Sequence, residues 1–187
     1  MPWAVDGDSP PEGAANRTAG ACTMGPIRPL TVSINVSRGR EAVYDYLDLM
    51  THHELFTDHM MRKWRYHGPE RGVGAKASVE VTLGGHSEQV EIEVIETEAP
   101  ARSVERTIGA GGRRVSTGTY TLVILPGGGT CVTFEYAWRE APWNERLAAP
   151  MIRVIMRRAL ERAMERLAEQ LDAPERTDPG APIKVQG

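Results

Sequence analysis

Arginine, histidine and tyrosine in one pocket form a set that can hold the charge of an enolate and move the protons around it. This chain offers such a set in Arg106, His86 and Tyr120, with Tyr136 as a second phenol. The residues are distant in sequence, so only neighbouring strands of one sheet can unite them. Gly84-Gly85 reads as a two-residue hairpin turn. That turn sets Leu83 against His86, Val81 against Glu88, Val79 against Val90, Ala77 against Ile92 and Ala75 against Val94 on one face, with Lys76 against Glu93 on the other. Apolar then faces apolar, and charge faces opposite charge. His86 and Glu88 fall on the inward face near the hairpin tip, and alternation with Val104 and Ile108 places Arg106 inward as well. Polar side chains on such a face are informative, because burying them unpaired is costly. The plainer reading has His86 and Glu88 reaching water at the sheet end and Arg106 snorkelling or paired structurally.

Other reactive clusters carry less. His52, His53, Glu54, Asp58 and His59 crowd one short segment, but their spacing is neither HExxH nor a closed tetrahedral pattern, and adjacent His52 and His53 point apart on any regular backbone. No metal is expected. Cys22 and Cys131 form no CxxC pair, so neither a disulfide framework nor a zinc ribbon is supported, and Cys131 has no partner base that would make it a nucleophile. The glycine-rich loops link strand to strand, so no helix N-terminus waits there for a phosphate. No cofactor is expected.

The elements that must position these residues follow from periodicity. Leu30, Val32, Ile34 and Val36 alternate as one face of a strand, Ser37 is placed to cap a helix over about 38–48, and a short helical piece follows at 52–56. Six further strands are predicted over 62–67, 73–83, 86–97, 101–109, 114–125 and 130–139. A loop at Pro126-Gly127-Gly128 sets Leu122 against Val132 and Tyr120 against Phe134. The apolar stripe Ile152, Met156, Leu160, Leu167 and Leu171 marks a helix from Trp143 to Asp172 that must cover the sheet. Ala159 and Ala163 on it face Ala75 and Ala77 on the sheet, so either the elements approach closely or a void remains. Arg158 with Glu161 and Arg162 with Glu165 read as a solvated ion-pair face.

Composition narrows the function classes. The 187 residues are 41% hydrophobic and 25% charged, with a net charge of −3, so no field attracts nucleic acid. No apolar run approaches the length of a membrane span. Residues 1–26 and 173–187 are rich in breakers and read as a disordered leader and tail around one domain at 27–172, with Met24 as an alternative start. The leader has no secretory pattern, and a cytoplasmic location is expected. The sequence carries no signal for an oligomeric state.

Val32 to Val36 followed by Arg40 to Leu47, the segment Gly68 to Ala75, Gly118 to Leu122 with Gly128 to Phe134, and the Ala141-Pro142 lead into a long Arg- and Glu-rich helix resemble the START-like SRPBCC superfamily, polyketide cyclase/dehydrase group. The resemblance spans about residues 29–172 and implies an α+β helix-grip fold. In it a curved seven-stranded antiparallel sheet wraps a long C-terminal helix, with two short helices after the first strand. It also implies an apolar cavity for lipids, polyketides or other hydrophobic molecules. The lining expected is Val79, Val81, Val90 and Ile92 on the first hairpin, Tyr120, Leu122, Phe134 and Tyr136 on the second, and Met151, Ile155 and Ala159 on the helix. Each is also an ordinary core residue on the plainer reading. His53 and His59 would then stand at the cavity mouth as gating groups. The basic stretch Arg153 to Arg158 allows at most a transient membrane contact. Binding or transport of a hydrophobic small molecule is favoured. The alternatives are a polyketide aromatase/cyclase or dehydratase, in which Arg106, His86 and Tyr120 act on a poly-carbonyl chain, and a ligand-free interaction module with a collapsed centre.

Overall fold

The computed structural model describes residues 27–173. Cys22, Met24 and the rest of the predicted leader, and the predicted tail beyond Ala173, lie outside them. Seven strands, β1 (Leu30–Val36), β2 (Met61–His67), β3 (Lys76–Leu83), β4 (His86–Glu98), β5 (Arg102–Gly109), β6 (Arg114–Ile124) and β7 (Thr130–Glu140), join in the order β1-β7-β6-β5-β4-β3-β2. Every pairing is antiparallel. The expected register holds across both hairpins, with Leu83 opposite His86 and Lys76 opposite Glu93, and Tyr120 opposite Phe134. Helices α1 (Arg40–Asp48) and α2 (His53–Thr57), separated by a short 3-10 turn, link β1 to β2, and α3 (Trp143–Asp172) closes the chain. This is the helix-grip fold.

Ser37 is not the cap of α1. The helix starts after Gly39 without a side-chain cap, and Ser37 instead donates from its backbone N–H and its hydroxyl to Asp172 Oδ1, at 2.9 and 2.6 Å. Those two bonds hold the Asp172 carboxyl below its ordinary pKa and fasten the end of α3 to the end of β1. The ion-pair face of α3 also differs in detail. Arg157 pairs with Glu161 four residues on, and Arg166 pairs with Asp58, the residue just after α2.

The core divides in two. The larger part packs Leu160, Ala163, Leu167 and Leu171 of α3 against Leu30 and Val32 of β1, Tyr120 and Leu122 of β6 and Val132 of β7. The smaller joins Ala77, Val79, Val90, Ile92 and Val94 under Met50, with Met61 and Trp64 alongside, and takes no residue from α3. The small side chains of helix and sheet therefore do not close on each other. A space is left between the two parts.

Candidate functional site

That space is a cavity of about 470 Å³, within the range of small-molecule sites. The centre is open, not collapsed around Ala75, Ala77, Ala159 and Ala163. Val81, Val90 and Ile92 line it from the first hairpin, Tyr120, Phe134 and Tyr136 from the second, and Met151 and Ile155 from α3. Three expected lining residues do not reach it. Val79 is fully enclosed in the smaller core and Leu122 packs in the larger one, while Ala159 lies one turn away from the lining positions Ile155, Met156 and Ala163. Met151 is 63% exposed, so it marks the mouth. Gly84 at the β3–β4 turn lies so close to Ile155 that an added Cβ would stand 3.2 Å from its Cδ1, and the hairpin tip thus leans on α3 beside that mouth. Val154, Arg157 and Arg158 face outward.

The expected polar trio separates. Tyr120 is buried on the lining, and His86 sits exposed on the rim. Arg106 is on the opposite face of the sheet, donating to Glu93 at 2.6 Å beside Lys76, so it cannot act on anything in the cavity. The reason is the phase of β5. Its partners Val94 and Ile92 point inward, and opposite them stand Glu105 and Thr107. Glu105 and Thr107 of this strand therefore face the cavity, and Val104 and Arg106 face away.

Glu105 is the acid that alternation concealed. It is 7% exposed, and its Oε1 lies 3.3 Å from Nδ1 of His53, which α2 presents and which is itself 4% exposed. His53 Nε2 donates to the Leu47 carbonyl at 2.7 Å. A carbonyl only accepts, so Nε2 carries a hydrogen and Nδ1 is the nitrogen turned to Glu105. The two side chains stand within ion-pair distance of each other. Burial pushes the Glu105 carboxyl above its ordinary pKa, with the charge of His53 as a smaller opposing influence. The Tyr120 ring meets His53 edge-on at 5.9 Å, and burial, then the neighbouring Glu105, raises its phenol well above the usual value. His53 thus serves inside the site, whereas His59 donates to the Ala159 carbonyl at 3.0 Å and ties the end of α2 to α3. Among the described residues no group of three or more His, Cys, Asp or Glu side chains could hold a metal ion.

A raised carboxyl has a signed consequence for stability. Its contribution is complete below the unfolded carboxyl pKa and is lost as pH rises toward the folded value. Glu105→Gln is therefore expected to gain on the parent protein between pH 5 and pH 8, by up to about 1.4 kcal/mol per pH unit. Urea unfolding at both pH values reads this, and a constant difference would mark Glu105 as an ordinary carboxylate.

A second polar station lies toward the other end of β5. Arg114 bonds Glu88 of β4 and reaches Glu145 of α3 at 3.1 Å. Burial works against its charge, and the two acids outweigh it. A Cβ at Gly109 would collide with the guanidinium, so the glycine leaves the space in which Arg114 lies. Gly118 does the same for an aromatic ring. A Cβ there would stand 2.8 Å from Phe134 Cζ and 3.8 Å from Glu105 Oε2. Gly118→Ala is expected to drive the Phe134 ring into the cavity and cost about 1–3 kcal/mol, read by thermal unfolding and by loss of ligand uptake.

Trp64 also lines the cavity, with an indole nitrogen that is buried and without a hydrogen-bond partner among the described residues. The β2 register shifts between Arg62 and Arg65, and Lys63 takes a left-handed backbone with φ 58°. This bulge turns Trp64 inward. Its sequence trace is the break in alternation between Met61 and Trp64.

A family model described as polyketide cyclase / dehydrase and lipid transport matches residues 29–172. No curated protein matches the chain. Among solved structures, TTHA0849 from Thermus thermophilus aligns with a TM-score of 0.60 at 16% identity, over 77% of this chain and 97% of that one. A major latex-like protein from Panax ginseng aligns with a TM-score of 0.62 at 10% identity, over 80% and 100%. DynU16, from the dynemicin biosynthetic locus, aligns with a TM-score of 0.52 at 18% identity, over 78% of this chain and 47% of its own. At these identities the likeness carries the fold.

Proposed function

The chain belongs to the polyketide cyclase / dehydrase and lipid transport family, and from that premise we propose that it binds a hydrophobic small molecule, lipid or polyketide-like, between the sheet and α3. The observation that supports this most is the cavity itself, about 470 Å³ between the sheet and α3. An apolar core normally closes to crystal-like density, so a space of this size on a mostly apolar lining has the character of a small-molecule site. Its lining is apolar and aromatic over most of its extent, and the polar groups stand at separate stations. Glu105 pairs with Gly118, and Gly109 with Arg114 four residues further along β5, which at about 3.4 Å per residue spaces the stations by about 14 Å. The ligand that matches is elongated, mostly apolar, and polar at more than one point.

Entry is proposed beside Met151, where α3 carries Trp143, Leu147, Met151 and Val154 on its exposed side. No helix among the described residues is long and apolar enough to cross a membrane, so this face lies on the domain surface and is not a span. Trp64 and Trp138 line the cavity and report its occupancy. Titration with a long-chain fatty acid and with an aromatic polyketone is expected to give saturable change in tryptophan emission. A linear, non-saturating response to both would overturn the reading.

A further inference from the structure

Within the same cavity we propose that Glu105, His53 and Tyr120 form a proton-transfer site acting on an apolar ketone with an enolisable C–H bond. The proposal rests on the binding reading above and adds chemistry to it. A purely structural buried ion pair has its remaining lone pairs and hydrogens met by neighbours. This one does not. Glu105 Oε1 faces His53, and no hydrogen bond reaches Oε2 or the Tyr120 hydroxyl from the described residues, although both residues line the cavity. An acceptor and a donor are therefore left for whatever fills the space. Glu105 is faced by His53 of α2 and itself acts on Tyr120 of β6. The strand on its other side offers Val94, β7 offers Phe134, and α3 lines the region with Ala163 and Met164.

The chemistry balances without a co-reactant. The ligand carbonyl accepts a hydrogen bond from Tyr120, whose raised pKa keeps the phenol a donor. In its ionised form, with the His53 ring beside it, the Glu105 carboxylate takes a proton from the carbon next to that carbonyl. The C–H bond breaks, its electron pair forms the C=C bond, and the carbonyl π pair moves to oxygen as an enolate held by Tyr120. Return of a proton from Glu105 to the same carbon, or to a conjugated one, restores the ketone or shifts a double bond. Burial makes Glu105 a stronger base than a surface carboxylate, nearer to the working pH where general bases are most effective. Glu105 and Tyr120 touch the ligand, and His53 is a positioning residue that holds the complementary charge.

The test is deuterium exchange into 2-tetralone and 2-undecanone in heavy water, followed by NMR, with binding of each ketone measured in parallel by tryptophan emission. General-base assistance of about 10²-fold or more over buffer is expected, with Glu105→Gln abolishing it while retaining binding. Glu105→Asp, which keeps a carboxylate, should retain part of the rate. His53→Gln should move the pH at which exchange reaches half its maximum, a change that a packing role alone would not produce. Bound ketones exchanging at the buffer rate would overturn the proton-transfer site and leave the binding reading standing. Ketones that fail to bind would count against the cavity reading and remove this site with it.

Discussion

Replacing Arg114 by Met is expected to destabilise the protein by about 3 kcal/mol, the low end of the range for breaking a buried ion pair by removing one partner. The Arg114 side chain is 16% exposed, between Glu88 at 20% and Glu145 at 18%. Its removal leaves two carboxylates facing each other in partly desolvated surroundings where one cation held both. It also releases a tie between the sheet and the first turn of α3, beside the cavity mouth. For a domain of this size the loss corresponds to a fall in Tm of about 6–12 °C. Arg114→Met combined with Glu88→Gln and Glu145→Gln should recover much of the loss, because the penalty comes from unpaired charge and the methionine itself packs. A single-variant loss below about 1 kcal/mol would mean that water screens this triad as it screens surface pairs.

The second large effect is on binding. Ile92→Trp fills the cavity from the sheet and Ala163→Leu from the helix, and both positions are nearly fully buried on the lining. Each is expected to weaken uptake of an apolar ligand by tenfold or more, about 1.4 kcal/mol. Because the added atoms enter existing space, stability should change by no more than the about 1–3 kcal/mol typical of overpacking. Arg106→Ala is the contrasting case. It removes an outer-face pair with Glu93, and uptake should be unchanged. Equal loss of uptake in all three variants would show that binding does not occur in this space.

The residues explain why the fold was more legible than the site. Gly84-Gly85 forces a two-residue turn, and once Leu83 faces His86 the whole β3–β4 register follows, which the structure reproduces pair for pair. The α3 stripe set that helix from Trp143 to Asp172 just as it is found. Site prediction rested on the rule that apolar residues point inward. A cavity lined by polar side chains inverts that rule on β5, where Glu105 and Thr107 face the interior and Val104 does not. Arg106 was carried outward by the same inversion. Two further features were out of reach of periodicity. His53 meets Glu105 through a contact between α2 and the sheet, and Trp64 enters through a bulge whose left-handed residue is a lysine, with no glycine to announce it. Phase breaks such as Met61 to Trp64, and a lone acid such as Glu105 within a strand, were the signals available.

The central claim is that this cavity holds a hydrophobic molecule, and native mass spectrometry of the gently purified protein, set against an organic-solvent extract of the same sample, tests it most directly. A stoichiometric apolar companion is expected, absent from Ile92→Trp purified in parallel. A parent protein of bare polypeptide mass that also fails to take up lipids and aromatic polyketones would contradict it.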